Sequence, residues 1–398
     1  MIDSNLIKNN VELVLPDIIN IRHTLHENPE LSFKEFNTSK LIASALDELK
    51  IKYTPGIAGT GILAEIYGSI PYKSDSKTVL IRGDMDALPV SENTNLPFSS
   101  KCDNVMHACG HDVHTSILLC CAAVINRLKS KFSGCVKLMF QPGEETSGGA
   151  EPMIKAGILE NPKVDSCVAL HVEPSLTVGD ARFKAGSAYS SPDEFEIKII
   201  GKGGHGAQPH LCKDPIVIAA EVITAIQTIT SRMTDPFEPT VVSVCAIRGG
   251  DAYNVIPDSV TLGGTARSFN LNTRDMLDRE IENAVKSVCD RYGASYEYKF
   301  DRLFPPLIND ESTILRLKNS AEKYLSGNII YGGDPTTAGE DFAYLPLKVE
   351  KSALFWLGST NPGDAVHPLH SDKLVVSDDC IKYGAEILTD YALNFLNG

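Results

Sequence analysis

The amino-acid sequence predicts an α/β protein in which helices flank a central mixed sheet and a second domain is inserted into the first. Short apolar strands alternate with amphipathic helices at both ends of the chain, whereas the middle has a different order of elements. The 398 residues also exceed the size, about 250–300 residues, at which one hydrophobic core usually stops growing. We therefore predict a first domain built from residues 1–187 and 301–398, with residues 188–300 inserted as a second domain.

The first part of the chain alternates helices with strands. Apolar residues recur on one helical face over 37–50 and over 113–128. Apolar strands are predicted over 77–82, 135–140 and 164–170, and acidic or imidazole side chains follow each of them. Because open α/β sheets bind ligands beyond the carboxyl ends of their strands, these side chains are candidates for a functional site.

The middle of the chain has the order β-α-β-β-α-β, which is the ferredoxin-like arrangement. Its strands are predicted over 193–200, 240–248, 258–268 and 294–300, and its helices over 213–231 and 273–292. The α/β pattern then returns with a helix at 310–325, a strand at 353–358 and a final amphipathic helix at 378–396.

Charge and hydropathy argue against two kinds of partner. The net charge is −14, and no basic stretch could follow a phosphate backbone, so nucleic acid is not expected. No run of about 18 uncharged apolar residues is present, and the N-terminus has no signal-peptide pattern, so we expect a cytoplasmic protein without a membrane partner. The ten cysteines are scattered through the chain, and most are therefore expected to be reduced.

The strongest candidate for chemistry is Cys109-Gly110-His111, directly before the 113–128 helix. A thiolate and an imidazole two residues apart can bind the same ion, and Asp112 can orient an imidazole. The alternative is a polar loop in which Asp112 only caps the helix.

Two adjacent carboxylates and two histidines support a metal site. Glu144 and Glu145 follow a buried-looking strand and a Gln-Pro-Gly turn, so one can bind metal while the other takes a proton from the attacking water. A solvated surface pair is the alternative for the glutamates, and a hydrogen-bonded strand-end histidine is the alternative for His171. Together with His370, these residues would supply five mixed ligands, enough for two ions.

Other catalytic motifs are weak or missing. Residues 201–206 match G-x-G-x-x-G after a strand, but no helix begins inside the motif, so a dinucleotide site is not expected. The sequence has no G-x-x-x-x-G-K-[ST], H-E-x-x-H or G-x-S-x-G pattern.

Ordered motifs along the whole chain resemble the amidohydrolase branch of the aminoacylase/carboxypeptidase metallopeptidase superfamily. This branch includes auxin-conjugate hydrolases, hippurate hydrolases and N-acetyldiaminopimelate deacetylases. The matching segments are 21–30, Arg-Gly-Asp-Met-Asp-Ala-Leu-Pro at 82–89, 106–112, 201–206, Asn-Val-Ile-Pro at 254–257 and Gly-Glu-Asp-Phe at 339–342.

The resemblance implies a role for each matching residue. Two divalent ions, Zn or Mn, would be bound by Cys109, His111, Glu145, His171 and His370, with Glu144 as general base and then general acid. Asp86 would orient a ligand, and His205 would stabilise the tetrahedral oxyanion, with the partner subunit as one source of that histidine. Asn254, Arg267 and Gly339 would bind the substrate, and the inserted domain would be a lid that mediates homodimerisation.

The function expected on this basis is hydrolysis of the amide bond of N-acyl amino acids. A dipeptidase or carboxypeptidase is the alternative among enzymes, because the same site cleaves any amide whose flanking groups fit. The alternative from another class is a non-catalytic metal-binding protein. A thiolate ligand favours zinc, while the carboxylates also suit manganese.

Overall fold

The computed structural model describes residues 2–71, 75–146 and 148–398, and the chain forms two compact units. Unit 1 contains the residues up to Gly186 together with Asn309–Asp334 and Tyr344–Gly398, and unit 2 contains Ser187–Ile308 and Pro335–Ala343. The sequence placed residues 335–343 in the first domain. They belong instead to unit 2, because the backbone N–H of Ser190 donates to the carbonyls of Thr336 and Ala338, each at 3.1 Å.

The elements follow the predicted order, with additional short strands. The helices are α1 Ser4–Glu27, α2 Phe36–Glu48, α3 His111–Arg127, α4 Ala150–Lys155, α5 Pro215–Thr228, α6 Leu271–Tyr292, α7 Glu311–Ala321 and α8 Asp379–Asn397. The strands are β1 Lys52–Ile57, β2 Gly61–Tyr67, β3 Thr78–Asp84, β4 Cys135–Gln141, β5 Ser166–Thr177, β6 Ala181–Phe183, β7 Gly186–Tyr189, β8 Ser191–Ile200, β9 Gly204–His205, β10 Val241–Arg248, β11 Val255–Ile256, β12 Ser259–Ser268, β13 Ser295–Asp301, β14 Leu307–Asn309, β15 Ile329–Tyr331 and β16 Ser352–Thr360.

Unit 1 is built on a mixed sheet with the strand order β1-β2-β4-β3-β5-β16-β6-β15. Its centre, β4-β3-β5-β16, is parallel, while β1 and β2 are antiparallel to their neighbours. Strands β3, β4 and β16 are buried along their whole length, as expected for parallel strands covered on both faces. The predicted mixed sheet flanked by helices is confirmed.

Helix α3 carries more buried surface than its pattern predicted. The sequence indicated one apolar face, but every residue from His111 to Ile125 is buried, because α3 packs against β3, α1 and α8. Because the helix is buried on all sides, apolar residues such as Cys120, Cys121 and Val124 can occupy different faces of it. The helix is thus a rigid support for the residues at its N-terminus.

Strand β5 extends past the predicted end. The sequence placed His171 after a strand that ends at residue 170, but β5 continues to Thr177 because β16 pairs with it in parallel as far as Thr360. On the other side, the pairing with β3 stops at Ala169. His171 is therefore held inside a strand, just beyond the end of its neighbour.

Unit 2 has a four-stranded antiparallel sheet with the order β10-β12-β8-β13. Helices α5 and α6 pack on one face of it, and buried residues such as Ile197, Ile218 and Leu262 form its core. The small strands β9 and β11 pair with each other, as do β7 and β14.

One segment of unit 2 is long and apolar enough, by length and composition alone, to cross a membrane. This segment is Pro215–Met233, which includes α5. Its Ile218, Val222 and Ile226 are buried in the core of unit 2, while the opposite face of the helix exposes Ile216 and Val217.

Candidate metal centre and active site

The five side chains predicted to bind metal lie together in unit 1. Cys109 Sγ is 3.5 Å from His171 Nε2, His111 Nε2 is 3.8 Å from Glu145 Oε1, and His370 Nε2 is 3.5 Å from the same Glu145 oxygen. These residues come from the start of α3, the turn after β4, the middle of β5 and a loop before α8. Chain segments far apart in sequence therefore converge at one end of the parallel strands.

The ligand atoms form overlapping sets within which all atoms lie within 4.8 Å of one another. Zinc–ligand bonds of 2.0–2.3 Å in tetrahedral geometry place ligand atoms about 3.3–3.8 Å apart, and the distances between the pairs named above lie in this range. Three of these sets contain the predicted ligands: Cys109 with His111 and His171, Cys109 with Glu145 and His370, and His111 with Glu144 and Glu145. Cys109, His111 and Glu145 each belong to two of the three sets, and a thiolate or a carboxylate can be shared between neighbouring ions.

Hydrogen bonds leave the correct nitrogen of two histidines facing the centre. His111 Nδ1 donates to Asp86 Oδ1 at 3.2 Å, and His171 Nδ1 donates to the Val172 carbonyl at 2.7 Å, so each Nε2 remains for an ion. Within the described residues, His111 Nε2 and Glu145 Oε1 are buried without a hydrogen-bond partner. A divalent cation would satisfy both atoms, so the residues fit a metal centre.

Asp86 connects the two ligand segments. Burial raises the pKa of this carboxyl group, but the hydrogen bond and positive charge of His111, together with the hydroxyl of Ser32, lower it overall. Asp86 Oδ2 also accepts the backbone N–H of Glu145 at 3.0 Å. Asp86 therefore acts on the positions of His111 and Glu145 rather than presenting itself as a ligand.

Backbone geometry at Gly110 and His370 supports the same centre. Gly110 has φ +83°, and a Cβ there would lie 2.5 Å from Val172, so glycine is required between Cys109 and His111. His370 has φ +66°, an uncommon conformation for histidine, and its N–H donates to the Ala108 carbonyl at 2.7 Å.

A second histidine on α3 supports the site without facing it. His114 Nδ1 donates to Asp84 Oδ1 at 2.6 Å, and its Nε2 accepts the backbone N–H of Val172 at 3.0 Å. Both nitrogens are used, so His114 does not bind an ion although Asp84 and His111 are close to it. The sequence motifs predicted no role for His114, although its i,i+3 spacing places it on the same helix face as His111.

A buried charge network ties α1 to the start of α3. Asp112 Oδ2 accepts from Arg22 Nε at 2.9 Å and from His26 Nδ1 at 2.8 Å, and Glu92 Oε1 is 3.3 Å from His26 Nε2. Burial lowers the pKa of His26, but the charge and hydrogen bonds of Asp112 and Glu92 raise it overall to about 9. Asp112 thus orients an imidazole, as predicted, but that of His26 rather than of a ligand.

His107, two residues before Cys109, was not predicted to have a role. The side chain is buried, burial lowers its pKa to about 4, and neither ring nitrogen has a hydrogen-bond partner among the described residues. Its imidazole is therefore neutral near pH 7.

The other predicted site residues belong to unit 2. His205 is exposed on β9 and faces Val255 of β11, and the Asn254 carbonyl accepts the N–H of Gly206 at 2.8 Å. His205 therefore lies on this small sheet, and Asn254 lies in the turn directly before β11.

Arg267 and Gly339 lie elsewhere in unit 2. Arg267 is half-buried on β12, where its Nη1 donates to the Asp193 carbonyl at 3.3 Å and to the Thr265 hydroxyl. Gly339 lies in 335–343, directly after Ala338. The role of these residues stays a prediction.

Known proteins resemble the chain along almost its full length. Residues 80–394 match the model of peptidase family M20/M25/M40. The chain belongs to this family. The resemblance expected from the sequence motifs is thereby confirmed, and the chain is a metal-dependent amidohydrolase.

Individual relatives cover more than nine tenths of the chain. Thermostable carboxypeptidase 1 of Saccharolobus solfataricus is 39% identical over 98% of each chain. N-acetylcysteine deacetylase of Bacillus subtilis is 36% identical over 93% of this chain and 95% of its own. The crystal structure of the Bacillus subtilis YXEP protein, described as a dinuclear metal binding peptidase of the M20 family, superposes with a TM-score of 0.84, 31% identity, and coverage of 97% and 99%.

Proposed function

We propose that this M20 enzyme hydrolyses the amide bond of N-acyl amino acids. The observation that carries the proposal is the pair Glu144 and Glu145: Glu144 is buried, Glu145 is partly buried, and both lie close to the imidazole of His111. Two relatives support the substrate class: an N-acetylcysteine deacetylase and an Arabidopsis thaliana IAA-amino acid hydrolase that is 34% identical over 95% of this chain.

The proposed cofactor is a pair of divalent ions, Zn or Mn. The residues that would hold them are Cys109, His111, Glu145, His171 and His370. Bound there, the ions would lower the pKa of a water molecule toward about 7 and polarise the substrate carbonyl. Sulfur and nitrogen donors favour Zn, and the carboxylates also suit Mn.

Glu144 is the proposed proton carrier. Its carboxylate takes the proton of the attacking water and then returns that proton to the leaving amine. Asp86 keeps the imidazole of His111 in the Nδ1–H tautomer throughout, through the hydrogen bond at 3.2 Å. In this scheme Asp86 acts through His111, and Glu144 acts on the reacting atoms.

Unit 2 is proposed to supply substrate recognition. His205 would stabilise the oxyanion, Arg267 and Asn254 would bind the carboxylate of the amino acid, and Gly339 would line the substrate site. A guanidinium suits this task because it can bind a carboxylate with two parallel hydrogen bonds. We also propose that unit 2 is a ferredoxin-like lid that mediates homodimerisation, which its exposed Ile216 and Val217 on α5 support.

Cytoplasmic location is proposed on the state of the thiols. All ten cysteines are free, and six of them are buried in unit 1. Free thiols in this number fit a reducing compartment. The six are Cys109, Cys120, Cys121, Cys135, Cys167 and Cys380.

The decisive experiment is Glu144→Gln in enzyme loaded separately with Zn or Mn, assayed on N-acetyl and N-benzoyl amino acids. We expect kcat to fall by about 10²–10⁴-fold, because the proton carrier is lost, while the metal content measured by mass spectrometry stays at the wild-type value. Glu151→Gln, on the surface of α4, is the matched control and should keep full activity. Turnover of Glu144→Gln near the wild-type rate would rule out the assignment.

A carboxypeptidase or dipeptidase is the second candidate, favoured by the 39% identity to a relative named carboxypeptidase. The same side chains would cleave a peptide bond. Comparing kcat/KM for N-acetyl amino acids and for dipeptides with the same C-terminal residue separates the two functions. A higher value for the dipeptides would replace the first proposal by the second.

A further inference from the structure

Two buried carboxylates bind the backbone on either side of Glu144. The N–H of Gly143 donates to Glu35 Oε1 at 3.0 Å, and the N–H of Glu145 donates to Asp86 Oδ2, also at 3.0 Å. The Pro142–Gly143 and Glu144–Glu145 peptide units are therefore held by buried carboxyl groups, although residues 142–146 lie outside any helix or strand.

Glu35 is fully enclosed and has three donors of its own. Its Oε1 accepts a second N–H, that of Phe33 at 2.8 Å, and its Oε2 accepts the Thr60 hydroxyl at 2.6 Å. It immediately precedes α2, but its side chain does not cap that helix. Burying a carboxyl group is unfavourable unless it is hydrogen-bonded. The two oxygens of Glu35 accept hydrogen bonds from its own loop, from the hairpin residue Thr60 and from the turn that contains Glu144.

The segment around Glu35 also fixes the turn by packing. Gly143 has φ +64°, and a Cβ there would lie 2.5 Å from the ring of Phe33. Ser32 Oγ donates to Asp86 Oδ2 at 2.7 Å, so the same segment supports the other carboxylate as well. Residues 32–35 thus include one of the two acceptors, Glu35, and contact the other, Asp86.

We propose that Glu35 is a positioning residue that sets the direction of the Glu144 carboxylate. The inference rests on the proposed function, in which Glu144 carries the proton. Glu35 does not touch the reacting atoms. It acts through the Gly143 peptide, and residues 32–35 deliver the same constraint to Glu145 through Asp86.

The test compares Glu35→Ala, Glu35→Gln and the control Glu30→Ala in metal-loaded enzyme. Glu35→Ala leaves the Gly143 N–H without its acceptor, so we expect kcat to fall about 10- to 100-fold, with KM and metal content close to wild type. Glu35→Gln should recover most of kcat, because its amide oxygen can accept both N–H groups and its NH₂ can donate to Thr60.

Glu30 is a matched control because it also accepts backbone N–H groups. Its carboxylate binds the N–H groups of Asn37 and Thr38, at 2.8 and 2.9 Å, at the start of α2. Glu30→Ala should lower the melting temperature and leave kcat unchanged. If Glu35→Ala lowers kcat no more than Glu30→Ala does, Glu35 has only a structural role and the inference is wrong.

A measurement on the unmodified chain keeps the inference testable if Glu35→Ala does not fold. Amide hydrogen exchange of the Gly143 N–H should be slow for a residue in a turn, and Thr60→Val should speed it and lower kcat a few-fold. Rapid exchange at Gly143 in the wild type would overturn the inference. The proposed function fails separately, through an active Glu144→Gln variant.

Discussion

The candidate residues of unit 1 and those of unit 2 are held in different ways. In unit 1, His111 and His171 are buried, and the hydrogen bond of each Nδ1 fixes which nitrogen is presented. In unit 2, His205 is exposed on a sheet of two short strands, and Asn254 is exposed in the turn before it. A metal centre needs its ligand geometry set in advance, whereas a residue that meets the substrate can be ordered on binding.

The largest effect is expected where unit 1 would lose a ligand. Cys109→Ser should lower metal content and reduce kcat/KM by more than about 10³-fold, because a hydroxyl binds zinc much more weakly than a thiolate does. Metal analysis after gel filtration and an amine-release assay would check both. His210→Ala, an exposed histidine of unit 2, is the control. Full metal content and activity in Cys109→Ser would contradict the proposal that this residue of unit 1 binds metal.

The next effect concerns a buried ion pair in unit 2, which is held by hydrogen bonds as the histidines of unit 1 are. Arg274 Nε and Nη2 bind the buried carboxylate of Asp193 at 2.9 and 2.5 Å. Arg274→Met would leave that carboxylate unpaired, at an expected cost of about 3–5 kcal/mol in the free energy of unfolding. Urea unfolding would measure it. Arg279→Met, which breaks an exposed pair with Glu280, should cost less than about 1 kcal/mol, and equal costs would contradict the expectation.

A smaller but diagnostic effect is expected for His205. Removal of a residue that stabilises an oxyanion typically lowers kcat by about 10²–10³-fold, and His205→Ala should do so without loss of metal or of thermal stability. The exposed position on β9 explains why stability should not change. A drop in stability or metal content with unchanged kcat would show that the residue belongs to the scaffold instead.

The smallest effect concerns a buried acid of unit 1 outside the site. Glu386 is buried on α8, and among the described residues neither of its oxygens has a hydrogen-bond partner. Burial raises the pKa of Glu386 from 4.5 to about 7. Ionisation of Glu386 therefore lowers the free energy of unfolding. This loss is absent below pH 4.5, grows as the pH rises, and is complete above pH 7.

Glu386→Gln should accordingly stabilise the folded state by about 3 kcal/mol more at pH 8 than at pH 4. Urea titrations at the two pH values would measure the difference. Glu48→Gln, on the exposed face of α2, should show no such pH dependence. An equal effect of Glu386→Gln at both pH values would contradict the assigned ionisation.

Short-range patterns predicted the mixed sheet and indicated a candidate metal site. Cys109 and His111 are two residues apart, and Glu144 and Glu145 are adjacent, so their local sequence already indicated a site. The supporting residues were harder to find, because their partners are distant in sequence: Glu35 contacts a residue 108 positions away, and Arg22 contacts one 90 positions away. No periodicity or spacing reports such pairs, and only the fold brings them together.

Asp86 has a consequence for how the enzyme acquires its ions. Its two oxygens hold the imidazole of His111 and the peptide of Glu145, so the spacing between two ligand segments is set by the protein chain itself. Metal binding at such a site orders few residues, unlike metal binding that is coupled to the folding of a small domain. Chelation should therefore silence the enzyme and leave it folded, so that activity can be restored by adding metal back without a refolding step.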